Sequence, residues 1–205
     1  MELDYKRIVL TFLMHLGDVV LTTPFLEVLR KAAPHSHITY VIDEKLQDVM
    51  KYNPYIDDLI TVDKKGRHNS IKGLNEIARR INDQGRPDIV INLHPNERTS
   101  YLAWKIHGKV TTGMSHFLFR PFMTKYTRLD RKTRHAADMY INVLEQLGVT
   151  DVANTDYISR LVRNGMTRYS VFIKAKALCL VIRLLVLISV ALCLKNDGPQ
   201  NALQM

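Results

Sequence analysis

Asp18 is the residue of this sequence whose surroundings could do chemistry. It follows Gly17 directly behind the apolar, β-branched run from Ile8 to Met14, and Thr22, Thr23 and Pro24 come one turn later. A carboxylate at the end of a buried strand can accept the proton of a hydroxyl held against it. The same residue type at the same place also caps helices. Thr22 and Thr23 divide in the same way, between hydrogen-bonding a hydroxylated or phosphorylated ligand and capping the backbone. Farther on, Lys64, Lys65, Arg67 and His68 crowd one polar loop, and Arg120, Lys125, Arg128, Arg131, Lys132 and Arg134 gather against Asp130 as their one acid. Basic stretches of this kind are either solvated faces or seats for an anion. His94 has no second His, Cys or carboxylate at ligand spacing, so the sequence offers no metal site. Tyr101, Trp104 and Phe117 read as packing residues rather than stacking platforms.

The elements that must position these residues alternate. Ile8 to Met14 is too short for an ordinary helix and breaks at Gly17, so it reads as a buried parallel strand entering a tight turn. The next helix carries Phe25, Val28 or Leu29, and Ala32 at helical spacing, with Thr23 as N-cap and Pro24 at the first helical position. A helix that starts at Asp18 instead would have to kink at Pro24 or end an opening turn there. Residues 36–42 read as a second strand, 44–52 as a short helix with Leu46, Val49 and Met50 inward, and 58–62 as a third strand. Ser70 then caps an amphipathic helix with Ile71, Leu74, Ile77 or Ala78, and Ile81 on one face, closed by Gly85 and Pro87. The strand 88–93 delivers Asn92, His94, Asn96 and Arg98 to the same sheet edge as Gly17 and Asp18. A helix at 97–107 closed by Gly108, a short strand at 109–113 and a helix at 135–147 with Ala136, Met139, Val143 and Leu147 inward complete the pattern. Strand and helix alternating with short connections predict an α/β fold built on a doubly wound parallel sheet.

A chain of 205 residues that is 46% hydrophobic can bury one good core. Its formal charge of +9 suits anionic partners. No recognition motif or aromatic platform supports a nucleic-acid binder. Both cysteines, Cys179 and Cys193, fall in the tail, and the charged lead of Glu2, Asp4, Lys6 and Arg7 carries no cleavage pattern, so a reducing cytoplasm is the expected compartment. Residues 171–194 are apolar all round apart from Arg183 and Lys174 and Lys176 near the start, the length of a minimal membrane span. They read either as an anchor or as sequence foreign to the preceding domain.

Leu16-Gly17-Asp18-Val19-Val20-Leu21-Thr22-Thr23-Pro24, Leu29-Arg30, Pro34, the strand 38–42 and Asn53-Pro54-Tyr55-Ile56-Asp57 form one ordered set. With Asp88 to Leu93, His135-Ala136-Ala137-Asp138 and Leu147-Gly148, the set resembles the amino-terminal half of glycosyltransferase family 9, the ADP-heptose:lipopolysaccharide heptosyltransferases. The resemblance covers about residues 5 to 150. It implies a Rossmann-like acceptor-side domain of a GT-B glycosyltransferase over 1–155, followed at 156–205 by a tail outside the family pattern with an apolar helix near 171–194. No second, donor-binding domain is expected in the chain, which should therefore show no turnover alone. The resemblance further implies inverting transfer of a heptose or related sugar from a nucleotide-sugar, ADP-heptose, to the lipopolysaccharide core or a related glycan, without a cofactor. Asp18 would be the general base, and Gly17, Thr22, Thr23, Lys64, Arg67, Arg120, Arg134 and His135 would form the acceptor side. The partner would be an anionic glycolipid, met in peripheral contact with the cytoplasmic face of the inner membrane. A non-catalytic module that binds phosphorylated glycan or an acidic membrane surface is the alternative from the residues themselves.

Overall fold

A computed structural model of the chain describes residues 3–127 and 136–149. Arg134, His135 and the apolar tail expected at 171–194 lie outside the described residues. Among the described residues, no helix is long and apolar enough to cross a membrane.

Six strands form one sheet: β1 (Arg7–Thr11), β2 (His37–Asp43), β3 (Asp58–Val62), β4 (Ile89–Asn92), β5 (Val110–Gly113) and β6 (Lys125–Tyr126). Their spatial order is β3-β2-β1-β4-β5-β6, and every pairing is parallel. Ile8 stands opposite Ile38 on one side and Ile89 on the other, so β1 lies near the middle, buried on both faces. Successive side chains of a strand point to opposite faces, and β1 distributes its apolar residues accordingly. Ile8 and Leu10 enter a core shared with Phe25 and Leu29 of α2 (Thr23–Ala32) and Val143 and Leu144 of α6 (Ala136–Glu145). Val9 enters a second core with Ile77 and Ile81 of α4 (Ile71–Asp83) and Leu102 and Ile106 of α5 (Glu97–Ile106). The α/β, Rossmann-like reading of the sequence is therefore correct: a parallel sheet with helices on both faces.

Several boundaries differ from the sequence expectation, each for a local reason. β1 stops at Thr11 rather than Met14: the Phe12 amide still bonds the Val41 carbonyl, but Phe12 and Leu13 are buried as loop residues. The helix after Gly17 is two helices, α1 (Leu16–Leu21) and α2, and Thr22 rather than Thr23 is the N-cap of the second. Pro24, without an amide hydrogen, sits in the first turn of α2, where none is needed. The expected helix at 44–52 is a 3-10 turn (Glu44–Leu46) followed by the single turn α3 (Gln47–Met50). Ser70 caps α4 as anticipated, its hydroxyl accepting from the Gly73 amide at 3.2 Å. Ile71, expected inward, is 66% exposed in the first turn of that helix. α5 ends at Ile106, one residue earlier than expected, because His107 itself takes the left-handed conformation at φ 58°. From Met114 onward, where periodicity fades, the chain forms a 3-10 turn (Phe117–Phe122) before β6.

Candidate functional site

The carboxyl ends of the strands gather one rim of loops, and Asp18 stands on the loop and helix that follow β1. It is the third residue of α1, whose N-cap is His15. The carboxylate is 31% exposed and makes no hydrogen bond among the described residues; His15 Nδ1 lies 3.9 Å from it on a side chain that is 91% exposed. Asp18 is therefore not the cap of its helix. Beside it Gly17 is exposed, and a Cβ built on it would meet nothing within 4 Å. The backbone next to the carboxylate faces open space.

Below Asp18, Thr22 is fully buried at the junction of α1 and α2. Its one hydroxyl hydrogen goes to the Val19 carbonyl at 2.7 Å, so the Tyr40 hydroxyl donates to the Thr22 oxygen at 3.1 Å. Complete burial pushes the Tyr40 phenol far above its ordinary range and keeps it protonated, as that donor role requires. The Thr22 side chain supports the turn from inside. Thr23 Oγ1 is a buried hydroxyl oxygen without a hydrogen-bond partner among the described residues.

Lys64 reaches the same loop from two strands away. Its ammonium lies 2.8 Å from the Asp43 carboxylate at the end of β2 and donates to the Leu13 carbonyl at 2.9 Å. Arg98 holds the Lys64 carbonyl at 2.7 Å and the Asn69 side chain at 2.6 Å. Between them Asp63 folds the loop on itself: the backbone N–H groups of Gly66 and Arg67 hold its carboxyl below the usual carboxylate range. Arg67 extends outward to Glu44 at 3.1 Å, with a side chain 65% exposed.

On the other side of β1, Asn92 ties three strand ends together. Its side-chain oxygen accepts from the Thr11 hydroxyl at 3.0 Å, and its amide nitrogen donates to the Met114 carbonyl at 2.7 Å. Asn96 caps α5, and His94 lies edge-on to the Phe12 ring at 6.2 Å. Thus Gly17, Asp18, Thr22, Thr23 and Lys64 come together around the end of β1, with Arg67 at the outer margin. Arg120 does not join them: it lies in the β5–β6 connection, stacked over the Tyr126 ring at 4.6 Å. Among the described residues there is no group of three His, Cys, Asp or Glu side chains able to hold a metal ion. Asp43 and Tyr40 were missed by sequence reasoning. Asp43 ends β2 much as Asp18 follows β1, and that shared position is the one signal that could have found it.

No family model and no curated protein matches the chain. Solved structures do. An all-parallel Rossmann-like sheet of this order is the fold of one half of a GT-B glycosyltransferase, and it aligns with Escherichia coli heptosyltransferase WaaC with ADP at a TM-score of 0.58 and 18% identity, covering 68% of this chain and 46% of that one. Escherichia coli ADP-heptose LPS heptosyltransferase II aligns at 0.56 and 14% identity over 67% and 39%. The glycosyl transferase family 9 structure from Veillonella parvula DSM 2008 aligns at 0.72 with 87% identity, covering 76% of this chain and 45% of that one. The chain belongs with glycosyltransferase family 9. It spans less than half the length of each of these three structures.

Proposed function

We propose that this domain is the acceptor side of a heptosyltransferase-like enzyme acting in the cytoplasm. In this reading the donor is a nucleotide-sugar of the ADP-heptose type, since a matched structure is WaaC with ADP-2-deoxy-2-fluoro heptose. The acceptor is the lipopolysaccharide core or a related anionic glycolipid, met at the cytoplasmic face of the inner membrane. Asp18 accepts the proton of the acceptor hydroxyl as its oxygen attacks the anomeric carbon. The bond from that carbon to the donor phosphate breaks, ADP departs with the electron pair, and the configuration inverts.

The observation that carries the reading is Asp18 itself: a half-buried carboxylate with no hydrogen bond among the described residues, beside a glycine that opens onto free space at the end of a near-central strand. Asp18 spends neither carboxylate oxygen on a backbone amide among the described residues, so both are available to a hydroxyl. Lys64, with Asp43, fixes the loop that presents Asp18. Arg67 at the outer margin, together with Arg134 and His135, supplies hydrogen-bond donors to an anionic acceptor, whereas Arg120, stacked over Tyr126, lies away from this rim.

The test joins this domain to the remainder of the Veillonella parvula family 9 protein and measures transfer at saturating donor and acceptor. Asp18→Asn keeps the shape but not the basicity, so turnover falls by about 100-fold or more while the unfolding midpoint holds. Unchanged turnover would reject the catalytic role.

A further inference from the structure

Six large apolar side chains are at least half exposed among the described residues, and three of them share one turn: Phe117, Leu118 and Phe122, in the 3-10 segment between β5 and β6. The turn has a rigid aromatic backing. Trp104 of α5 lies 5.5 Å from the Phe122 ring and 6.4 Å from Phe119, and Tyr101 lies 5.6 Å from Trp104. Cations border the same surface, with Lys105 over the Trp104 ring at 5.9 Å and Arg120 over Tyr126. From Met114 to Thr127 the sequence contains no Asp or Glu. Glu97, 3.6 Å from His116, is the acid recorded against the start of the stretch.

Exposed apolar tips, an aromatic layer behind them and cations in excess over acids are what the interface of an anionic bilayer selects. A stable protein partner would need roughly 800 Å² of contact on each side, far more than three side chains provide. We infer that the turn 117–122 seats the domain on an anionic lipid bilayer, with Phe117, Leu118 and Phe122 at the headgroup and acyl boundary and Lys105, Arg120 and Lys125 at the level of the phosphates. β6 is three strand positions from β1, about 15 Å across the sheet, so a glycan carried by a lipid in that bilayer is brought to the rim that bears Asp18. The inference rests on the glycolipid-acceptor reading for its purpose alone, because docking is measured without turnover.

Trp104 is the single tryptophan of the chain and belongs to the proposed surface, which makes it a local reporter independent of the tail. The full chain is titrated with phosphatidylethanolamine–phosphatidylglycerol vesicles carrying brominated acyl chains, and Trp104 emission is followed. Quenching is expected, weaker with added salt. Half-quenching of Phe117→Ser/Leu118→Ser should need about tenfold more lipid, since both side chains are exposed and the fold does not depend on them. The swap Phe117→Leu/Leu118→Phe should quench like wild type. An unquenched Trp104, an unchanged lipid dependence in the serine variant, or loss in the swap would each overturn the docking. Quenching that persists in Asp18→Asn separates this result from the fate of the catalytic reading.

Discussion

The Tyr40 hydroxyl on β2 donates to the Thr22 hydroxyl at the α1–α2 junction across 3.1 Å, and Thr22 passes its own hydrogen to the Val19 carbonyl one residue past Asp18. All three groups are buried, so the break between the two helices is held by a closed polar relay rather than by solvent. Removing one member orphans another. Thr22→Val leaves the Tyr40 hydroxyl without its acceptor, while the Val19 carbonyl keeps the backbone N–H of residue 22 at 3.1 Å, and should cost about 2 kcal/mol, whereas Tyr40→Phe removes only the terminal donor and should cost about 1 kcal/mol. The double variant should be less destabilised than the two losses added together, because its apolar pair strands no hydroxyl. Urea unfolding of the four proteins checks this, and strict additivity would reject the relay.

Two glycines should respond in opposite directions to alanine. Gly113 ends β5 at φ 109°, and a Cβ there would stand 2.2 Å from the Asn92 carbonyl oxygen. Gly113→Ala should therefore lose about 3 kcal/mol and disturb the Asn92 bond to Met114. Gly17 lies in the helical α1 with nothing within 4 Å of the added methyl. Gly17→Ala should be neutral or stabilising by up to about 1 kcal/mol in thermal unfolding. In the two-domain enzyme it should nevertheless raise the acceptor KM, because the methyl enters the space beside Asp18.

Acid should weaken the domain partly through Asp88. The Lys109 ammonium at 2.7 Å and the backbone N–H groups of Arg7 and Lys6 hold its carboxyl below the usual carboxylate range. A carboxyl lowered in the folded state contributes its full stability above the unfolded pKa, about 4, and loses it as pH falls through the folded value. Asp57, where partial burial acts upward but the Ile38 amide and Arg30 outweigh it, adds to the same acid limb. Asp88→Asn should lower stability at neutral pH by about 1 kcal/mol, much of the charge being screened by solvent, and should flatten the decline below about pH 4. An equally steep acid limb in the variant would assign it elsewhere.

The sequence was most legible where local chemistry decides the outcome. β3 begins at Asp58 and ends at Val62 as read, and the Ser70 cap was visible from its type and place. Legibility failed where a distant residue decides. The apolar run after Thr11 looked like strand because Phe12 and Leu13 are buried, yet their burial comes from the loop lying over the two cores. Nothing near Lys64 in sequence says that its ammonium is taken up by Asp43 and Leu13. The break at Thr22 could be suspected from Pro24, but choosing Thr22 over Thr23 required Tyr40, from a strand not yet in place. The turn at 117–122 has no sustained period to read, since only Leu118 and Phe122 stand at helical spacing and Pro121 falls between them.

The strand order sets the sequence in which the Asp18 platform can assemble. β1 meets β2 through the short α1–α2 crossover, but its other neighbour is distant, with Thr11 and Asn92 separated by 81 residues. Closing that larger loop costs chain entropy that the β1–β2–β3 pairings do not require. On this ground the first three strands should form a local nucleus, with the floor beneath Asp18 one-sided until β4 arrives and Asn92 clasps Thr11 and Met114. Amides along β4 and β5 should then exchange with solvent before those of β1 and β2, which would make the rim around Asp18 the last part of this domain to be finished and the first to open.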